Sequence, residues 1–323
     1  MAKTSQVTVI LINWNSGKMI GQALRSLQQQ TYRKFDVLVV DNASSDDSVQ
    51  YIQDEFPTVA ILKLEENYGF AGGVNRAVAN VVTPYFALLN TDAVADKNWL
   101  AELITVIEER DDLVVVTAKA LLSDGKHIDA AGDMMSRWGV AYPRGRGEID
   151  DGQYDQADRI FSGTGGYSLY RLSAWKKLGG FDERFFMYYE DVDYCYRARL
   201  GGYTVGFAPR AKIIHEVGTS SQKRGRNFSR KYVLRNASLV YWKNTPRQII
   251  WRTLWRFVIA NSYMILAALK ARAFMEITWA YWQLIVLVPY IMRARRRTPA
   301  QHNWRALYSK YDSSWPFKKV TSA

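Results

Sequence analysis

The sequence predicts an α/β protein with a mostly parallel sheet flanked by helices, continued by a basic, aromatic-rich helical extension. Three observations predict it. Four apolar, β-branched runs (7–12, 35–40, 59–64 and 85–89) alternate with helical spacings over the first hundred residues. These runs lead to polar positions at Asn13, Asp41, Asn67 and Asp92, the ends at which open α/β sheets bind ligands. Past Gly218 the composition turns basic and rich in tryptophan.

Taken in order, VTVILI at 7–12 reads as a buried parallel strand, and Asn13-Trp14-Asn15-Ser16-Gly17 as a polar turn. Met19, Ile20, Ala23, Leu24 and Leu27 then fall on one helical face within 18–30. FDVLVV at 35–40 is the second strand, and the acceptor-rich loop 41–47 caps a helix from Ser48 to Glu55. VAILKL at 59–64 leads through Asn67-Tyr68-Gly69 into a helix that runs to Val82, and YFALL at 85–89 ends at Asn90-Thr91-Asp92. Residues 113–172 read as mixed structure. A helix is expected from Glu190 to Leu200, closed by Gly201-Gly202, followed by a strand over 211–214. The polar, basic stretch 219–231 reads as a mobile segment, and two apolar stretches follow at 257–269 and 273–292.

Charge divides the chain. Residues 222–323 hold 20 Lys/Arg against Glu276 and Asp312, a net of +18, which leaves −6 for the remainder of the +12 total. Seven tryptophans share the basic part, a pairing typical of an anionic membrane interface. No nucleic-acid motif accompanies the charge, so nucleic acid is not an expected partner. The single cysteine, Cys195, excludes an internal disulfide, and no signal peptide is visible, so a cytoplasmic location is expected.

Chemistry concentrates in a few places. Asp92 at a strand end can bind a divalent metal that bridges two phosphates, or simply cap a loop. Asp41 can accept the imide N–H of uracil or thymine, while its neighbours cap the next helix. Gly69-Phe70-Ala71-Gly72-Gly73 lets backbone amides approach an anion and departs from the dinucleotide fingerprint. Glu190 and Asp191 open a helix after an aromatic run. Acids there are favourable through the helix dipole alone, yet aromatic neighbours would raise a carboxylate pKa toward that of a base. Asp193 pairs with Arg197 at helical spacing, a structural role. His215 ends an apolar strand, where an imidazole is either a satisfied surface group or a metal ligand.

Together the segments VTVILINWNS (7–16), VLVVDNASSDDS (37–48), ENYGFAGGVNRA (66–77), FALLNTDA (86–93), SGTGGYSLYR (162–171), GGFDERFFMYYEDVDYCYRARLGGY (179–203) and HEVGTS (215–220) resemble glycosyltransferase family 2, in its rhamnosyltransferase-like branch. The resemblance spans about residues 7–245 and implies a GT-A fold and inverting transfer from a nucleotide sugar. It implies Asp191 as the base. Asn13, Asn15, Asp41, Asn42, Asn67, Gly72, Asn75, Asn90 and Asp92 would lie along the nucleotide sugar. Gly163, Thr164, Gly165 and Glu190 would border the acceptor, and Asp92 with His215 would hold Mg²⁺ or Mn²⁺. Asn90 stands where the general family motif has its first aspartate, which points to modest metal affinity.

The expected donor is dTDP-L-rhamnose, with UDP-galactofuranose or another UDP-sugar as the alternative. The expected acceptor is a glycan on a polyprenyl diphosphate, in cell-surface polysaccharide synthesis. A catalytically silent, membrane-bound partner protein is the alternative of another class, disfavoured by intact Asp92, Asp191 and His215. The expected division is a transferase domain over 1–225 and a membrane-associating helical region over 226–323. Arginines alternate with Trp251 and Trp255, which suits helices lying peripherally on the cytoplasmic face rather than spanning it.

Overall fold

The structure, a computed structural model, describes residues 5–156, 160–215, 227–297 and 304–317. Its first half follows the expected alternation: β1 (Val7–Asn13), α1 (Ile20–Gln28), β2 (Phe35–Asp41), α2 (Ser48–Glu55), β3 (Ala60–Lys63), α3 (Gly69–Val78) and β4 (Tyr85–Leu88). These strands pair in parallel in the order β3-β2-β1-β4. The register sets Asn13 opposite Asp41, and Asp41 opposite Lys63, so the polar strand ends align along one edge. Helix α3 stops four residues before the expected Val82, which is exposed. The chain turns there toward Thr83-Pro84, and a residue before proline is disfavoured in a helix.

The sheet continues differently from its beginning. After β5 (Ala93–Ala95), α4 (Trp99–Glu108), β6 (Leu113–Leu122), β7 (Ile128–Ala130), β8 (Asp133–Met135) and β9 (Ala141–Pro143) comes β10 (Ser168–Arg171), which inserts antiparallel between β4 and β6. Helices α5 (Leu172–Leu178) and α6 (Glu190–Leu200) and strand β11 (Thr204–His215) complete the sheet, with β11 parallel to β6 and antiparallel to β5. The His215–Ala93 register of that last pair carries His215 beside Asp92. Alternate residues of β1 feed opposite cores, with Val7, Val9 and Leu11 in one and Ile10 in the other.

Helix α7 (Phe228–Asn244) packs on α6, and α8 (Arg247–Lys270), α9 (Phe274–Arg297) and α10 (Trp304–Ser309) follow. Of the stretch 219–231 expected to be mobile, residues 219–226 lie outside the described residues. From Phe228 onward it is the first turn of α7. Both apolar stretches are parts of longer helices that turn back at Arg272, which has φ +56°. Helix α9 follows α7 along its length, from the Trp279–Tyr232 edge contact to Arg295, which donates to the carbonyls of Trp242 (2.6 Å) and Thr245 (2.9 Å).

Candidate active site

A cavity of about 730 Å³ lies beside the strand ends, reached by their neighbours Ile12, Trp14 and Asn42. Asn42, Asn67, Asn90, Asp92, Thr164, Gly165, Glu190, Asp191 and His215 all line it. Asn13, Asn15, Asp41, Gly72, Asn75 and Gly163 stand outside that lining. Asn13 is fully buried, and its amide donates to Asp41 Oδ1 (2.9 Å), Ser44 Oγ (3.1 Å) and Ser48 Oγ (2.9 Å), which fixes the loop after β2. Asn15 accepts from the Ser45 amide at 2.7 Å. Gly72 packs on Tyr68, while Asn75 ties α3 to the backbone of Phe181, donating at 2.9 Å and accepting at 3.0 Å. Helix α2 is started by Asp46, which accepts from the Ser48 amide at 3.1 Å.

Asp92 and His215 meet where β5 and β11 pair. His215 Nε2 lies 3.3 Å from Asp92 Oδ1, and Nδ1 lies 2.9 Å from Asp129 Oδ2. Arg146 approaches the other oxygen of Asp129 at 3.4 Å. Burial opposes charge on His215, but the hydrogen bonds and charges of Asp129 and Asp92 outweigh it and raise the imidazole pKa to about 9. An imidazole oriented through one nitrogen by a carboxylate and turned toward a second carboxylate is a donor set suited to a divalent cation, which would take the place of the Nε2 proton on binding. Among the described residues no three His, Cys, Asp or Glu side chains form a cage of their own. These residues therefore fit a cation whose remaining ligands come from a diphosphate and water.

Asp191 lies in the first turn of α6. Its Oδ2 accepts from the Gly165 amide and its Oδ1 from the Val192 amide, both at 2.7 Å. Burial raises its pKa, opposed by those backbone hydrogen bonds. Glu190 is only 4% exposed, and among the described residues its Oε2 has no hydrogen-bond partner. Burial, with the charge of Asp191, holds its pKa well above the ordinary range. Asp193 is turned away and pairs with Arg197 at 2.9 Å, as its spacing implied.

The backbone leading into α6 is bent sharply. Phe186, Tyr188 and Tyr189 have φ of +63°, +66° and +70°, a conformation that costs each side chain energy and persists only under restraint. The restraint comes from α7. Asn236 donates to the carbonyls of Phe185 (3.0 Å), Met187 (2.9 Å) and Tyr188 (2.7 Å), while Arg235 reaches Arg184 and Phe185 at 2.8 Å. Gly69 (φ +71°) allows the Phe186 carbonyl to approach α3, where a Cβ would collide with it.

Sequence reasoning passed over Asp129, Asp133 and Arg146. The signal was present as two carboxylates four residues apart in the otherwise apolar IDAAGD at 128–133. Asp133 accepts from Thr164 Oγ1 at 3.3 Å, and burial together with the Asp191 charge pushes it up to about 8.

A mixed sheet that gathers carboxylates, one imidazole and strand-end amides around a cleft is the GT-A arrangement of nucleotide-sugar transferases. Solved structures agree in fold. S. aureus TarS 1-349 superposes with TM-score 0.58 at 19% identity, covering 95% of this chain and 89% of that one. The mannosyltransferase PcManGT from Pyrobaculum calidifontis, in complex with GDP-Man and Mn²⁺, gives 0.55 at 16% identity, covering 95% and 87%. The sequence model of glycosyl transferase family 2 matches residues 8–192, and the chain belongs to that family. It is rhamnosyltransferase-like. The N-acetylglucosaminyl-diphospho-decaprenol L-rhamnosyltransferase of Mycobacterium tuberculosis is 26% identical over 299 residues, covering 84% of this chain and 94% of the relative.

Proposed function

We propose that this glycosyltransferase transfers L-rhamnose from dTDP-L-rhamnose, with inversion, to a glycan on a polyprenyl diphosphate. The acceptor sugar we favour is N-acetylglucosamine, on which the mycobacterial relative acts by its name. The observation that carries the reading is Asp191, a carboxylate with a raised pKa that shares one cavity with the Asp92–His215 pair. In the proposed step Asp191 takes the acceptor hydroxyl proton as that oxygen attacks the anomeric carbon, and the nucleoside diphosphate departs. Asn42 and Asn67 stand on the nucleotide side, with Asp41 as the partner of the base imide. Asn13, Asn15, Gly72, Asn75 and Asn90 support that side, while Gly163, Thr164, Gly165 and Glu190 shape the acceptor side. Mg²⁺ or Mn²⁺, held by Asp92 and His215, supplies charge neutralisation at the diphosphate when bound.

We propose further that the region 226–323 attaches peripherally to the cytoplasmic face of the membrane through anionic lipid. Helix α9 is long and apolar enough to cross a bilayer on length and composition. Its packing on α7 between Trp279 and Arg295 supports an in-plane position instead. The test of the function is transfer from a panel of nucleotide sugars to N-acetylglucosaminyl-diphospho-polyprenol, read by mass spectrometry. A deoxyhexose increment with dTDP-L-rhamnose alone is expected. An increment from a UDP-sugar replaces the donor, and no transfer from any donor to this acceptor overturns the reading.

A further inference from the structure

The lining of the catalytic cavity is of two kinds. Ile12, Trp14 and Asn42 belong to the strand-end side. Val140, Ala141, Val233, Met264, Pro316 and Phe317 are apolar, and Val140, Met264 and Phe317 pack in one cluster. We propose that this apolar group forms a subsite for the first isoprene units of the lipid-linked acceptor. The proposal rests on the acceptor reading above and assigns it a place in the molecule.

Three observations carry it. First, the subsite is continuous with Asp191, which lines the same cavity, so a hydrocarbon trailing from an acceptor sugar at Asp191 reaches it without leaving the protein. Second, its walls are mainly apolar, with Ser229 on α7 and Tyr142 as polar neighbours in the lining. Val140 and Met264 belong to one buried cluster, and Phe317 packs against that cluster and stacks on Tyr263 with 4.9 Å between ring centres. A peptide or a further sugar would leave most of its polar groups without partners against Val140, Val233, Met264 and Phe317, whereas an isoprenoid has none to satisfy. Met264 adds a flexible, polarizable surface able to mould to a branched chain.

Third, the subsite lies behind a face that suits lipid. Met264 sits on the inner side of α8, while Trp255, Ile259, Tyr263 and Leu266 of the same helix are exposed. One helix thus separates the subsite from an apolar outer surface flanked by Arg252, Lys270 and Arg272. A chain anchored in anionic lipid therefore has a short route to the catalytic carboxylate.

The test uses the full chain in detergent and a geranylgeranyl diphosphate that carries a diazirine on its terminal isoprene. After irradiation, peptide mapping is expected to place the label on Val233, Met264 or residues 316–317, displaced by unlabelled geranylgeranyl diphosphate. Val233→Phe and Met264→Trp, each checked for a native melting transition, narrow the subsite. Each is expected to cut that labelling at least fivefold and to leave dTDP affinity within twofold. Label confined to the outer faces of α8 and α9, or unchanged in both variants, overturns the subsite. The subsite and the acceptor reading fail separately. Displaceable labelling without sugar transfer to any lipid-linked acceptor removes the acceptor reading alone. Transfer that is equally efficient in both variants removes the subsite alone.

Discussion

Asp133 and Asp191 face one cavity from different elements and are fastened by adjacent residues of a single loop. The Thr164 hydroxyl donates to Asp133, and the Gly165 amide donates to Asp191. Two carboxylates so placed do not ionise together easily. Asp191 has two backbone donors and Asp133 has one hydroxyl, so Asp191 loses its proton first. The site then holds an anionic base beside a neutral acid, the division that general acid–base chemistry needs.

The rate should therefore follow a bell in pH. On the acid side, Asp191 is protonated below a pKa that lies above the ordinary carboxylate value. On the alkaline side, Asp133 loses its proton at about 8, and a negative charge appears beside Asp191. Asp191→Asn should lower kcat by about 10²–10⁴ while donor affinity stays unchanged. Asp133→Asn should keep the acid limb and lose the alkaline one. The stability sign is the reverse of that for a salt-bridged acid. The native state keeps protons that the unfolded chain releases above about pH 4, so these carboxyls cost stability that grows as pH rises toward 8. An alkaline limb that survives in Asp133→Asn would assign that limb to another group.

Asn236 never faces the cavity, yet it holds the bent backbone that aims Asp191. Asn236→Ala takes the Asn236 amide from the Met187 and Tyr188 carbonyls and leaves Phe185 held by Arg235 alone from α7. It should lower kcat about 10- to 100-fold, since small misplacements of a catalytic group are costly, and raise hydrogen exchange at 185–190. Dissociation constants for dTDP should not move. A parallel loss of nucleotide affinity would mean that the whole fold, rather than the loop, had relaxed.

The sequence was legible where a physical period or a capping rule operated. Helix α2 has its expected bounds, Ser48–Glu55, because an acceptor-rich loop precedes a clean helical run. Glu190–Leu200 is equally faithful, framed by an aromatic segment and two glycines. The region of β7, β8 and β9 was not legible, because three-residue strands are too short to show alternation. Asp129 and Asp133 were hidden there. The antiparallel insertion of β10 was equally silent, since SLYR reads the same in either direction of pairing. Asn236 escaped notice because its partners are backbone carbonyls, which have no sequence signature.

Lys243 joins the C-terminal helices to the catalytic body through a buried charge cluster. It is 5% exposed, and its ammonium lies 2.7 Å from both Asp182 and Asp193. Burial opposes its charge, and the two carboxylates more than restore it. Lys243→Met removes the ammonium shared by two buried carboxylates, leaving Asp193 with Arg197 and Asp182 with Arg184, and should cost about 3 kcal/mol in urea unfolding, the low end of the range for breaking a buried pair. Arg76→Met, which breaks the much more exposed Arg76–Glu183 pair, should cost less than about 1 kcal/mol. Equal costs would show that the cluster is not what fastens α7.

Asp129 holds His215 from the side away from Asp92. Asp129→Asn keeps a hydrogen-bond partner for Nδ1 but weakens its hold on the ring. It should reduce Mn²⁺ affinity about 10-fold or more, and His215→Ala should reduce it further. Electron paramagnetic resonance titration with dTDP present reads this without relying on turnover. Chelation by EDTA should suppress transfer, and added Mg²⁺ or Mn²⁺ should restore it. Unchanged Mn²⁺ affinity in His215→Ala would remove the imidazole from the ligand set.

The outer faces of α8 and α9 carry Trp251, Trp255 and Trp282 exposed at 80%, 56% and 61%, beside Arg247 and Arg252. Tryptophan at this exposure is costly in water and favourable at a headgroup interface, where its ring is half solvated. The adjoining arginines add about 1 kcal/mol each near an anionic surface, and salt screens that part. Partition to vesicles of phosphatidylglycerol should therefore exceed partition to neutral phosphatidylcholine and weaken between low and high salt. The double variant Trp251→Ala/Trp255→Ala should reduce partition at least tenfold without altering the melting temperature by more than a few degrees. An in-plane attachment also predicts release at alkaline pH, because contacts with lipid are one-sided when α9 keeps its packing on α7. Retention of the chain in alkali-washed membranes, with α9 protected from protease on both sides, would instead establish a spanning helix.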